Sequence, residues 1–422
     1  MNVKITPHPL SGTVSAISSK SDVHRLLIAA ALSDKPTIIK CNSRSKDIEA
    51  TVSCLNSLGA AISFAEDEIS VKPITNIPKE ASLNCGESGS TLRFLLPVAA
   101  ALGVTAEFCG KGRLPQRPIT PLRREMEVNG ITFTPPWKFP IKIKGQLEPN
   151  EYVLKGNVSS QFVTGLLFSL PMLTGDSKIR LIPPVESKPY IDMTVDTLRK
   201  FGIEITEEDN IYNIKGSQKY VSPSLVTADG DWSNAAFFLT AGALSGEITV
   251  TGLNINSLQG DRKILDVLSK MGAEISVLGD KITVEKAELH GVEIDASDIP
   301  DLIPILSVAA AGAKSGITTV SNAARLRIKE SDRLSAICEC INNIGVVVAE
   351  MDDGLVVWTG DGVRGGKVFG FNDHRIVMSM AIASAVSNGE ITIEGAEAVN
   401  KSYPQFFEDF TSLGGIYNVI DD

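Results

Sequence analysis

Several things are scarce or missing in this sequence. No uninterrupted apolar run approaches the roughly 20 residues that a membrane helix needs, so no membrane partner is expected. The first residues lack the apolar h-region of a secretory signal, and a reduced, cytoplasmic setting is expected. Net charge is −10, with no basic stripe interleaved with aromatics, which argues against nucleic acid as the partner. The six cysteines (Cys41, Cys54, Cys85, Cys109, Cys338 and Cys340) show no paired zinc spacing. The four histidines, His8, His24, His290 and His374, form no ligand pair at helical spacing. Gly110 to Arg113 lacks the spacing of a Walker loop, and no Gly-x-Ser-x-Gly elbow occurs. Nothing near Cys109 marks it as a nucleophile, so it reads as a buried structural thiol. No metal and no cofactor are expected.

What the sequence does have is a period. Gly59, Gly130, Gly202, Gly272, Gly345 and Gly414 recur at intervals of 69 to 73 residues. Each follows a helix-like segment and opens a run with alternating apolar positions, as in Thr197 to Ile205 and Val267 to Ile275. A fixed period is the mark of a repeated structural unit. Glycine suits the left-handed position that ends a helix. Each unit also holds a second helical segment, apolar on nearly every side: Leu26 to Leu32, Phe94 to Leu102, Phe162 to Leu173, Ala235 to Leu244, Leu302 to Ala313 and Ile376 to Val386. Such a helix is buried rather than amphipathic. A turn and a β-like stretch follow each one, for instance Lys178 to Leu181 and Glu247 to Val250. The pattern gives an α/β fold with helices as the core and sheets around them. At 422 residues two domains are expected, and six units divide into two groups of three.

The starts of the buried helices are polar. They include Ser19 to Arg25, Gly86 to Arg93, Asn157 to Gln161, Asp229 to Asn234, Asp298 to Asp301 and Asn372 to Arg375. Helix N-termini attract phosphate and carboxylate through free N–H groups and the helix dipole. Capping alone accounts for a Ser, Asp or Asn at any one start. It does not account for Arg25, Arg93 and Arg375, since a buried guanidinium needs an anionic partner. The loops after the strands hold a second polar set: Gly112 to Ile119, Glu186 to Asp192, Arg325 to Arg333 and Asn400 to Pro404. Alone, the run from Arg325 to Arg333 is a solvated, salt-bridged helix start. Beside an anion site, its lysine and arginines neutralise charge while its carboxylate supplies acid–base chemistry.

Taken in order along nearly the whole chain, these motifs resemble those of the enolpyruvyl transferases, specifically the branch that acts on shikimate 3-phosphate. The resemblance implies two inside-out α/β domains (an inverse αβ barrel), each of three repeats around buried helices. One would span residues 19–228 and the other would join 1–18 to 229–422, with the active site in the cleft between them. It implies a monomer that uses two small anions, shikimate 3-phosphate and phosphoenolpyruvate, in an addition–elimination. By the same resemblance Lys20, Ser21, Arg25, Ser159, Ser160, Gln161, Ser187, Asp301 and Lys329 would serve shikimate 3-phosphate. Lys20, Gly89, Arg117, Gln161, Arg333, Arg375 and Lys401 would serve phosphoenolpyruvate. Asp301, Glu330 and Lys20 are the expected catalytic groups. The sequence departs from the family pattern at Glu87, Phe94 and Arg325, where asparagine, proline and asparagine are common. The sister branch acting on UDP-N-acetylglucosamine typically carries a cysteine in the loop before Arg117 and Pro118, and here there is none. A non-catalytic anion-binding scaffold would need neither Asp301 nor Glu330. An RNA-end-processing enzyme on the same repeat is disfavoured by the acidic balance.

Overall fold

The computed structural model describes residues 1–135, 138–360 and 362–420. It divides into two compact units: Met1–Ser19 with Asp229–Asp422, and Lys20–Ala228. Each has its own apolar core. Twelve α-helices are described: α1 Lys20–Ala31, α2 Lys46–Ser57, α3 Gly89–Ala101, α4 Thr120–Val128, α5 Ser160–Ser169, α6 Lys188–Lys200, α7 Trp232–Ser245, α8 Ile264–Lys270, α9 Ile303–Ala311, α10 Arg333–Asn343, α11 His374–Ala383 and α12 Phe406–Ser412.

The odd-numbered helices form the cores. From Asp22 to Ala31 every residue of α1 is buried, and in α9 and α11 no residue is exposed. This is what an all-round apolar sequence requires, because each Leu, Ile or Phe taken from water contributes about 1.5–3 kcal/mol. The even-numbered helices bury one face only. In α2 the buried residues are Ile48, Thr51, Val52, Cys54 and Leu55, while Glu49 and Ser53 face water.

Among the described residues, six four-stranded sheets pack around the helices of the two units, each with one parallel and two antiparallel pairings. In the sheet Glu151–Lys155, Ser177–Ile182, Ile211–Ile214 and Ile205–Glu208, the second strand alternates strictly. Ser177, Ile179 and Leu181 point inward and Lys178, Arg180 and Ile182 outward, so a one-residue slip would turn the apolar set to solvent. The N-terminal segment completes two sheets of its unit. Asn2–Thr6 lies between Ile391–Glu394 and Ile416–Ile420, and Gly12–Ser15 pairs with Glu247–Thr251. In the other unit Leu225–Thr227 returns to pair with Thr37–Lys40.

All six periodic glycines stand just beyond an even-numbered helix, with φ between 75° and 105°. A side chain there would be strained, and at Gly59 its Cβ would also lie 2.4 Å from the Asn76 carbonyl oxygen. A second glycine has a different reason. Pro97 inside α3 has no N–H for the Arg93 carbonyl, and Gly165 of α5 packs against that oxygen so closely that a Cβ would sit 2.4 Å from it.

Candidate active site

In the unit Lys20–Ala228, the polar residues gather where α1, α3, α5 and α6 begin. Arg25 is buried. Its Nε donates to Thr194 Oγ1 at 2.9 Å, Nη1 to the Ser21 carbonyl at 2.5 Å and Nη2 to the Tyr190 carbonyl at 2.7 Å. The guanidinium also lies 5.3 Å from the centre of the Phe94 ring. Burial lowers its pKa to about 10, partly offset by Asp22, so it stays charged at neutral pH. Lys20, the first residue of α1, pairs with Asp47 at 2.9 Å.

Gln161 joins two helix starts. Its Oε1 accepts from Arg93 Nη1 at 2.6 Å, and its Nε2 donates to Ser90 Oγ at 2.9 Å. Ser88 caps α3, and Ser159 caps α5 by accepting from Gln161 N at 3.3 Å. Ser160, in the first turn of α5, is buried. Gly89 stands against Arg117: a Cβ at 89 would lie 2.8 Å from Arg117 Nη1. Ser187 stands at the N-cap position of α6 with φ 55°, ψ 34° and makes no side-chain cap bond there. A left-handed serine costs about 1–2 kcal/mol, the kind of strain that gathers at ligand sites. Thus Gly89, Ser90, Arg93, Arg117 and Gln161 form one neighbourhood, and Ser21, Arg25 and Tyr190 another on the same unit.

The other unit builds its cluster from α9, α10 and α11 and the loop before α10. Arg333 is 1% exposed and meets three carboxylates: Nε to Asp373 Oδ2 at 2.8 Å, Nη1 to Asp301 Oδ1 at 2.7 Å and Nη2 to Glu330 Oε2 at 2.7 Å. Those charges outweigh burial and hold its pKa above the ordinary value. Asp301 also accepts from Arg375 Nη2 at 3.1 Å and from Lys329 Nζ at 3.4 Å. Burial acts to raise its pKa, but Arg375, Lys329 and Arg333 together bring it well below the usual carboxylate range. Lys329 is shifted down, first by burial. Lys401 Nζ donates to the Asn372 carbonyl at 2.6 Å. His374 is buried beside Asp373.

Of the residues expected from the sequence, Gly89, Arg117, Ser159 and Gln161 come together in one unit and Asp301, Lys329, Glu330, Arg333 and Arg375 in the other, while Lys20 stands beside Asp47, Ser160 and Ser187 at helix starts and Lys401 against the Asn372 carbonyl. Cys109 is only part-buried, against the expected buried thiol, and burial raises its pKa. Arg325 donates to the Ser297 carbonyl at 2.6 Å. Asp373, within the Asn372 to Arg375 motif, was given no role from the sequence, and Asp47 and Asp261 were not singled out at all. Asp373 caps α11 by accepting from Arg375 N at 3.0 Å and holds Arg333 and Ser331. Asp47 holds Lys20. Asp261 is buried, accepts from Ser233 Oγ, and has its pKa raised to about 6 by burial and by Asp301. Asp47 in the first turn of α2 and Asp261 just before α8 lie at the starts of their repeats' even-numbered helices, near where the other repeats place Arg117, Ser187, Lys329 and Lys401.

Arginines, lysines and paired carboxylates gathered at helix N-termini define a protein that handles small anions and moves protons near them. Residues 5–410 match the EPSP synthase (3-phosphoshikimate 1-carboxyvinyltransferase) family. The 3-phosphoshikimate 1-carboxyvinyltransferase of Clostridium novyi is 43% identical, covering 98% of both chains. That of Clostridium kluyveri is 45% identical over 98% of this chain and 97% of its own. The chain belongs to the EPSP synthase family. Its fold is also that of an EPSP synthase from Acinetobacter baumannii, with TM-score 0.84, 24% identity and full coverage of both chains. The enolpyruvyl transferase NikO of Streptomyces tendae shares the fold at TM-score 0.80 and 19% identity, over 99% of this chain and 98% of its own.

Proposed function

We propose that the protein joins shikimate 3-phosphate to phosphoenolpyruvate and releases phosphate. The carrying observation is the Asp301–Arg333–Glu330 arrangement, which sets two carboxylates on one buried guanidinium. In the addition, the substrate 5-hydroxyl gives up its proton, its oxygen bonds to C2 of phosphoenolpyruvate, and C3 takes a proton. In the elimination, C3 loses a proton, the C2–O bond to phosphate breaks and the double bond returns. Asp301 accepts from the 5-hydroxyl. Its depressed pKa makes it a weak base, so it takes the proton as the C–O bond forms rather than beforehand. Glu330 serves the C3 proton, and Lys20 helps phosphate depart.

Arg25, Ser21, Ser159, Ser160, Gln161, Ser187 and Lys329 are assigned to shikimate 3-phosphate. Gly89, Arg117, Gln161, Arg333, Arg375 and Lys401 are assigned to phosphoenolpyruvate, and Lys20 to both. No described helix is long and apolar enough to cross a membrane. A cytoplasmic monomer is the state we propose. The test is phosphate release from phosphoenolpyruvate with either shikimate 3-phosphate or UDP-N-acetylglucosamine as acceptor. Release is expected only with the first. Release only with the second would move the protein to the sister activity, and none with either would reject the reading.

A further inference from the structure

A chain of buried hydroxyls runs across three helices of the unit Lys20–Ala228. His24 of α1 is 1% exposed, and its Nδ1 lies 2.7 Å from Thr51 Oγ1 of α2. Thr51 Oγ1 lies 2.6 Å from Thr91 Oγ1 of α3, and Thr91 Oγ1 donates to Ser88 Oγ at 2.7 Å. Ser88 Oγ also accepts from Thr91 N at 3.2 Å, which is the cap of α3. Thr51 and Thr91 are both fully buried.

The hydrogens in this chain have one consistent order. Thr91 gives its hydroxyl hydrogen to Ser88, so its oxygen accepts from Thr51. Thr51 has then given its own, so its oxygen accepts from His24. The histidine must carry its hydrogen on Nδ1. Nε2 is left as a bare lone pair, and it has no partner among the described residues. Burial, with Lys20 and Arg25 on the same helix, holds the ring neutral. The relay leaves one hydrogen uncommitted, that of Ser88, at the turn that opens α3.

Leucine would fill the space of His24 without a bare buried nitrogen, and valine would replace either threonine without a buried hydroxyl. Such polar chains are costly unless every member is needed. We propose that His24 is a positioning residue: through Thr51 and Thr91 it fixes Ser88, and with it the Gly86 to Ser90 turn whose Gly89 stands against Arg117. This rests on the reading of that turn as the phosphoenolpyruvate site. The wire extends the site to residues that touch no substrate.

The test uses the shape-conserving Thr51→Val, with Thr51→Ser as the variant that keeps the hydroxyl. Steady-state kinetics are measured with each substrate varied in turn, alongside thermal unfolding. Thr51→Val is expected to raise KM for phosphoenolpyruvate about tenfold, the effect of losing one buried hydrogen bond. KM for shikimate 3-phosphate and kcat are expected to stay within about threefold, and Thr51→Ser to restore the original value. His24→Leu should repeat the effect and His24→Asn, which keeps a donor near Nδ1, should relieve it. A Thr51→Val enzyme that is less heat-stable but has an unchanged KM for phosphoenolpyruvate would overturn the proposal. Gly89→Ala separates the two failures. If it raises that KM while Thr51→Val does not, only the wire is wrong. If neither raises it, the reading of the turn falls and the wire with it.

Discussion

Arg333 and Arg25, one buried arginine from each unit, are held in opposite ways. Arg333 spends its hydrogen bonds on three carboxylates, Asp301, Glu330 and Asp373. Arg25 spends its own on a hydroxyl and two backbone carbonyls, with Phe94 against its face. With Lys329 and Arg375 beside Asp301, the first arrangement sets three cations against three carboxylates and fixes the carboxylates at set positions, which suits proton transfer. The second leaves a desolvated positive charge with neutral partners, which suits a phosphate that brings its own negative charge. Copies of one repeat thus hold buried arginines in two ways, at the start of an even-numbered helix against carboxylates and inside a core helix against neutral groups.

Asp301→Asn should break the first half of this contrast. The amide keeps the shape but cannot take a proton, so kcat should fall by about a hundredfold to ten-thousandfold. KM for either substrate should move far less. Turnover within about threefold of the original would move the chemistry away from this cluster. Arg25→Ala should break the second half. Losing a charge-assisted contact costs roughly 1.5–3 kcal/mol, which is about a tenfold to hundredfold rise in KM for shikimate 3-phosphate. A comparable rise for phosphoenolpyruvate alone would assign Arg25 to the wrong anion.

Much of this was legible because the chain repeats itself. An all-round apolar helix has one physical solution, burial, and six of them at one spacing define the inside-out architecture. The glycines mark helix ends because φ near 100° excludes other residues. The site was legible where polar residues interrupt apolar helices at their starts, as at Arg25 and Arg375. What could not be read were partners. Arg25 meets Thr194 across 169 residues, and Arg375 meets Asp301 across 74. Nothing local in Thr194, a hydroxyl inside an ordinary surface helix, marks it as the partner of an arginine. The buried relay from His24 was hidden for the same reason, since threonine in a helix reads as a filler until its neighbours are known.

One buried group in each unit, Asp261 and His24, should also answer acid in opposite directions. Asp261 has a folded pKa of about 6, raised by burial and by Asp301 against the pull of Arg375 and the Ser233 hydrogen bond. Its unfolded value is near 3.8, so between about pH 4 and 6 the folded state binds more protons than the unfolded one. Stability from this residue therefore falls as pH rises through that window and stays low above it. His24 is shifted the other way, well below 6.5, by burial first. The unfolded chain then binds the extra proton, so stability from His24 is present above about pH 6.5 and is lost on acidification. Thermal unfolding from pH 4.5 to 7.5 separates them. Asp261→Asn should gain on the parent protein as pH rises, by at most about 3 kcal/mol for two pKa units, less what the Ser233 contact returns. His24→Leu should lose least, relative to the parent, at the acid end. Parallel curves for Asp261→Asn and the parent would mean that the aspartate is already ionised throughout, and the contrast would then lie in hydrogen-bond partners alone.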